Sequence, residues 1–253
     1  MADLAVLAIG FGVMPLAAIL LYAVSSDVLH HREAAWGILA GVTLFLGLSH
    51  AMALVLTYHS LLGDRALATL LSTLGLAVGT GIGWLLLEGP YIRTEPHRVL
   101  AAAVLFVGLH SFGDGLTLGG SFVGGGTLSV PLDAVTVSAT VVHRFVEGTI
   151  VVVPALAASW KPRLAFLLLF SSLLAVPAAY VATWLVNLYG FTPTRSMIDL
   201  SITIFASAVE ATLALFLVAR AFLPKASLEH GTKWMLWVAV GFVGISVVHF
   251  LVE

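Results

Sequence analysis

Along its whole length the chain repeats one feature: long apolar runs separated by short polar connections. Eight runs reach the roughly 20 residues a helix needs to cross a bilayer. They lie at about 4–26, 34–59, 66–87, 99–123, 134–160, 164–190, 200–222 and 234–252. In hydrocarbon every backbone N–H and C=O must find a partner within the protein, which leaves only helices or closed barrels. A spanning strand would alternate apolar and polar residues, and that alternation is missing here. The expected fold is all-α: a polytopic membrane protein, a bundle of eight transmembrane helices. No connection is long enough to hold a soluble domain, so residues 1–253 are read as a single domain. The first run begins without a basic segment and is too long for the apolar core of a signal peptide, so a retained helix is expected.

Composition narrows the chemistry. Of 253 residues 60% are hydrophobic and 9% charged, against roughly 25% charged in a soluble domain. A net charge of -2 without basic runs gives no footprint for nucleic acid, so the expected partner is the lipid bilayer. With no cysteine, disulfides, thiolate sites and iron–sulfur clusters are excluded, and a metal site would have to use imidazole and carboxylate.

Eight of the eleven Lys and Arg residues fall in the loops after the first, third, fifth and seventh runs: Arg32, Arg93, Arg98, Lys161, Arg163, Arg220, Lys225 and Lys233. The positive-inside rule then places those loops in the cytoplasm and both termini outside. Arg144 is different, because it lies inside the fifth run.

An ionisable group at bilayer depth costs roughly 2.5–3.5 kcal/mol on insertion scales, so such groups face partners or a cavity. Here they are His50, His110, Asp114, His143, Arg144, Glu147, Glu210 and His249. Two short patterns stand out: His110-Ser111-Phe112-Gly113-Asp114-Gly115 and His143-Arg144-Phe145-Val146-Glu147-Gly148. In each an imidazole precedes a carboxylate by four residues, which on a helix brings both to one face, a turn apart. Two such helices facing each other would offer His110, Asp114, His143 and Glu147 to one divalent metal. A network of ion pairs is the competing account, since Arg144 and Glu147 are three residues apart and could pair without a metal. One arginine, however, cannot serve two carboxylates and two imidazoles.

These motifs, on the fourth and fifth of eight spans, resemble the ZIP (Zrt-/Irt-like) family of divalent metal transporters. Its signatures are His-Asn-x-Pro-Glu-Gly or His-Asn-Phe-x-Asp-Gly on the fourth helix and His-x-x-Pro-Glu-Gly on the fifth. The run from His110 to Gly119 resembles the former, the run from Ala139 to Gly148 the latter, and Glu210 sits in a similar helix-seven context. The resemblance implies a site for zinc, iron or manganese made by His110, Asp114, His143 and Glu147, about halfway through the membrane on the ion's path. Several positions depart from the pattern: Ser111 stands for the amide, Gly113 and Val146 for the prolines, and Val176 precedes Pro177 where a carboxylate is common. Most consequential is Arg144, in place of an acidic or polar ligand of a second ion. As a fixed cation it would leave the site mononuclear, with a surplus of one positive charge that Glu210 could cancel if it comes near. His50 is an additional candidate ligand along the pathway, and His249 is expected at the outer interface.

The leading expectation is thus a transporter that moves a divalent transition metal into the cytoplasm, not an enzyme, in a prokaryotic plasma membrane; a homodimer is left open. One alternative is a ZIP-like membrane protein or subunit that has lost transport or handles anions through Arg144. The other is a membrane metalloenzyme with a metal-bound water, for which no HExxH signature exists and Glu210 is the sole spare base.

Overall fold

The computed structural model describes residues 32–58, 62–92, 94–123, 134–161, 192–228 and 232–252, with isolated positions between 13 and 25 and at 163, 164 and 167. The first and sixth expected spans therefore lie largely outside the described residues. Every regular element among the described residues is helical, and six are long: α1 (Arg32–Ala53), α2 (Arg65–Leu87), α3 (Glu95–Val123), α4 (Ala134–Ala157), α5 (Thr192–Leu217) and α6 (Lys233–Val252). They coincide with the second to fifth, seventh and eighth runs. Four described stretches are long and apolar enough to cross a membrane: Glu33–Leu56, Arg65–Leu87, Leu200–Ala226 and Lys233–Leu251.

Local chemistry fixes the ends. Gly63, at φ 73°, takes the left-handed turn before α2. Asp64 then caps the helix, its side chain accepting from the Leu67 N–H at 3.0 Å, a contribution of about 1 kcal/mol. At the other end of α2, Arg98 donates from Nε to Ile92 O and from Nη1 to Leu87 O, at 2.7 and 3.3 Å. It thereby serves carbonyls that a helix end leaves without partners. The α4 helix stops three residues before the expected end of its span. Ser159, at φ 56°, adopts the left-handed conformation, with Trp160 N–H on Ala155 O and Ser159 N–H on Leu156 O, both at 3.0 Å. This is the Schellman closure with serine where glycine is usual.

The α5 helix begins at Thr192, eight residues before the apolar run, with Pro193 in its first turn. Proline lacks only an N–H that a helix start cannot use, so the helix extends into polar sequence. Beyond Leu217 it widens into a π segment, Val218–Phe222, and ends in a short α turn, Leu223–Ala226. Pro224 lacks the N–H that would bond Arg220 O, and its ring crowds that carbonyl, so the ladder shifts register ahead of it. A second π segment, Leu54–Tyr58, closes α1.

The bundle differs from a water-soluble one in that its outer faces are apolar as well as its core. The outer faces of α2 and α6 carry Leu70, Leu74, Val78 and Trp84, and Leu236, Val240, Val243 and Phe250, all exposed. Glycines line the inner faces. Gly75, Gly79 and Gly83, one turn apart on α2, meet Ala208, Val209 and Phe216 of α5. A β-carbon on Gly79 would stand 2.8 Å from Val209 O. On α1, Gly37 and Gly41 lie against α6, and Gly241 of α6 lies against Ile38. Lipid is as apolar as leucine, so helices associate through close backbone approach and polar contacts, which glycine stripes permit. This is an integral membrane protein.

Between these seams Leu39, Leu46, Phe106, Ile150, Leu213 and Phe222 form the core, with the Phe222 ring 5.6 Å from Trp36. At one end of the bundle Arg220 binds Glu88 (Nε to Oε1, 2.6 Å) and Lys225 binds Glu95 at 2.6 Å. There too Tyr22 donates to Trp160 O at 3.0 Å, and His97 lies 6.1 Å from the Trp160 ring. Connections three, five and seven therefore share one side of the molecule.

Candidate metal site between the helices

Four helices, α1, α3, α4 and α5, bring polar side chains to one place. Twelve residues separate Arg98 from His110 and ten separate Arg220 from Glu210, roughly 18 and 15 Å of helix. The cluster thus lies well inside the bundle, away from the charged end that holds Arg98 and Arg220.

On the α3–α4 side, Glu147 is 1% exposed, and its two oxygens face different partners. Oε2 accepts from Arg144 Nη1 at 2.8 Å, within the same helix. Oε1 has two imidazole nitrogens beside it, His143 Nε2 at 2.6 Å and His110 Nε2 at 2.9 Å. Distances that short would ordinarily mean hydrogen bonds, yet Glu147 Oε1 receives none among the described residues. The nitrogens approach off the N–H axis, close in distance but not aligned for donation. Buried polar atoms without aligned partners are uncommon and mark a strained or ligand-binding position. His110, His143 and Glu147 are all buried, and their ligand atoms form one group of metal-binding size. The His110 and His143 rings lie 6.2 Å apart at 26°, so their nitrogens converge on the carboxylate.

On the α1–α5 side, Glu210 is 2% exposed. Its Oε2 lies 2.9 Å from His50 Nε2 and 3.4 Å from His110 Nδ1, and the two ring nitrogens are 3.1 Å apart. His110 accordingly lies between two carboxylates, one at each ring nitrogen. Gly113 lies beside this carboxylate, where a β-carbon would make an ordinary contact with Glu210 Oε1 at 3.6 Å.

Of the four expected ligands, the structure gathers His110, His143 and Glu147. The side chain of Asp114 lies outside the described residues. Ser111 is fully buried beside His110, its hydroxyl without a hydrogen bond among the described residues. Arg144 pairs with Glu147 at 2.8 Å, a contact that the fixed-cation and the ion-pair readings both expect. Glu210 and His50 stand nearer than their reading as tuning or pathway groups implied, since both touch His110 or its partner directly. His249, expected at the outer interface, also faces the cluster: its ring lies 5.9 Å from His143 at 21°, with Phe45 on another side at 5.2 Å. The available signal was spacing: His249 follows Gly241 and Ile245 by eight and four residues, on the inward face of α6.

The arrangement suits a borderline divalent cation. Nitrogen and oxygen donors of this type serve zinc, iron(II) and manganese alike. Ligands bound tetrahedrally to zinc at about 2.0–2.1 Å stand roughly 3.3 Å apart, so the observed separations need only a small expansion to admit an ion. No family model and no curated protein sequence matches this chain.

Proposed function

We propose that the chain is a divergent ZIP-like transporter, an eight-span bundle with both termini outside. It carries a divalent transition metal of the zinc, iron or manganese class into the cytoplasm. The cargo ion is held by His110 Nε2, His143 Nε2 and Glu147 Oε1, with Asp114 as the fourth ligand that the motif implies. One observation carries this reading: a fully enclosed carboxylate oxygen has two imidazole nitrogens within 2.9 Å and no aligned hydrogen bond among the described residues. Once Asp114 lets go, the three remaining protein ligands leave a coordination position for water or for the next donor, as an ion in transit requires. The Arg144 guanidinium neutralises one oxygen of Glu147 and occupies the place of a second ion, which makes the site mononuclear. Metal binding must displace protons from imidazole and carboxylate, so protons compete with the cargo and offer a release route.

Uptake of zinc or manganese into proteoliposomes tests the reading. His143→Ala is expected to lower uptake more than tenfold at unchanged protein content. Unchanged uptake would refute the site.

A further inference from the structure

The ring of His110 has a second edge, which the transport site does not use. Its Nδ1 meets His50 Nε2 at 3.1 Å and Glu210 Oε2 at 3.4 Å, while His50 Nε2 lies 2.9 Å from the same carboxylate oxygen. Two ring nitrogens and one carboxylate oxygen thus arrive from α3, α1 and α5, a second group whose ligand atoms lie within 4.8 Å of one another. We propose that His50, Glu210 and the Nδ1 edge of His110 form a second station for the divalent cation, and that a single ion is exchanged between the two stations across the His110 ring. This rests on the reading that the chain carries such an ion.

Three features support it. The donor set is again two nitrogens and one oxygen, so an ion that dehydrates for one station finds equivalent ligands at the other. A neutral imidazole has one lone pair and one N–H, so His110 ligates on one edge and donates on the other. A carboxylate stands near each edge, Glu210 Oε2 at 3.4 Å from Nδ1 and Glu147 Oε1 at 2.9 Å from Nε2, the latter needing the ring to turn before it accepts that N–H. The burial is also graded. The His50 side chain is 19% exposed, against 10% and 11% for His110 and His143, which makes the second station the wetter one and the natural neighbour of an aqueous vestibule. The rival account is a hydrogen-bonded triad that pins three helices together and binds nothing.

Zinc bound per chain, measured by equilibrium dialysis of the detergent-solubilised full chain, separates the outcomes. Wild type is expected to bind one zinc. His143→Ala is expected to keep one, now at the second station, while losing uptake; His50→Ala with Glu210→Gln is expected to keep one at the first. All three substitutions together leave none. A wild type that binds no zinc defeats the transport reading itself. A wild type that binds one alongside a His143→Ala variant that binds none leaves the first station standing and overturns the second. Two zinc ions per wild-type chain would overturn the exchange of a single ion. A measurement that needs no variant is anomalous scattering at the zinc edge from wild-type crystals. Density on both edges of His110, each at partial occupancy, is expected, and density confined to the Glu147 edge overturns the proposal.

Discussion

The seam between α2 and α5 and the cluster around His110 answer one physical problem in opposite ways. Both must hold helices together in a solvent where burying apolar surface gains nothing. The seam does so by shape: Gly75, Gly79 and Gly83 let α5 approach until Val209 O would stand 2.8 Å from an added β-carbon. The cluster does so by polarity, with carboxylates of α4 and α5 reaching imidazoles of α3, α4 and α1 at 2.6–3.4 Å. A seam of shape has one arrangement and tolerates no intruder. A polar cluster whose short contacts are not all aligned as hydrogen bonds can exchange those contacts for bonds to an ion. The scaffold is rigid where it is apolar and convertible where it is charged.

Substitutions in the two regions should therefore part company. His143→Ala, in the cluster, is expected to abolish most uptake, a loss of more than tenfold, with a small change in melting temperature; transport and thermal melting measured on one preparation read both. Acidification acts on the cluster alone. Because metal must displace protons, apparent zinc affinity should rise with pH by roughly tenfold per unit for each proton displaced, and competition with a zinc-sensitive dye between pH 5.5 and 7.5 checks the sign. Gly79→Leu, in the seam, is expected to destabilise the chain by about 1–3 kcal/mol through overpacking, with metal per folded molecule unchanged. Gly81→Leu, two residues away with nothing within 4 Å of its β-carbon, should be neutral or slightly stabilising in the same melting assay. Arg144→Asp sharpens the contrast within the cluster. Removing the guanidinium and adding a carboxylate is expected to raise bound zinc from one to two ions per chain by elemental analysis. The smallest effect is outside both regions. Ser159→Gly relieves a left-handed serine at the end of α4, worth roughly 1–2 kcal/mol, against about 0.4–1 kcal/mol for the freer unfolded glycine, and should give a slight rise in melting temperature.

How much of this could be read from residues alone follows the same division. Apolar runs locate helices because lipid penalises anything else, and the expected boundaries of α2 and α6 agree with the observed ones to within a residue. The misjudged ends were set by local chemistry that hydropathy does not weigh: Pro193 starting α5 early, and the Ser159 turn stopping α4 short. The His143–Glu147 contact was legible because both residues belong to one helix, where four-residue spacing dictates proximity. The contacts of His110 with His50 and Glu210 were not, since they join positions 60 and 100 residues apart and depend on which helices pack side by side. Glu210 was singled out for its cost in the membrane, but no spacing rule could name its partner. The contact of His249 with His143 is legible only from the inward face of α6 that it shares with Gly241 and Ile245.

X-ray absorption at the zinc edge on the zinc-loaded wild-type chain tests the central claim most directly. The account predicts a first shell of nitrogen and oxygen at about 2.0–2.1 Å, with the outer scattering of at least two imidazole rings, and loss of the imidazole signal when both His110 and His143 are replaced by alanine. A shell of water oxygens without imidazole scattering, or no stoichiometric zinc at all, would contradict it.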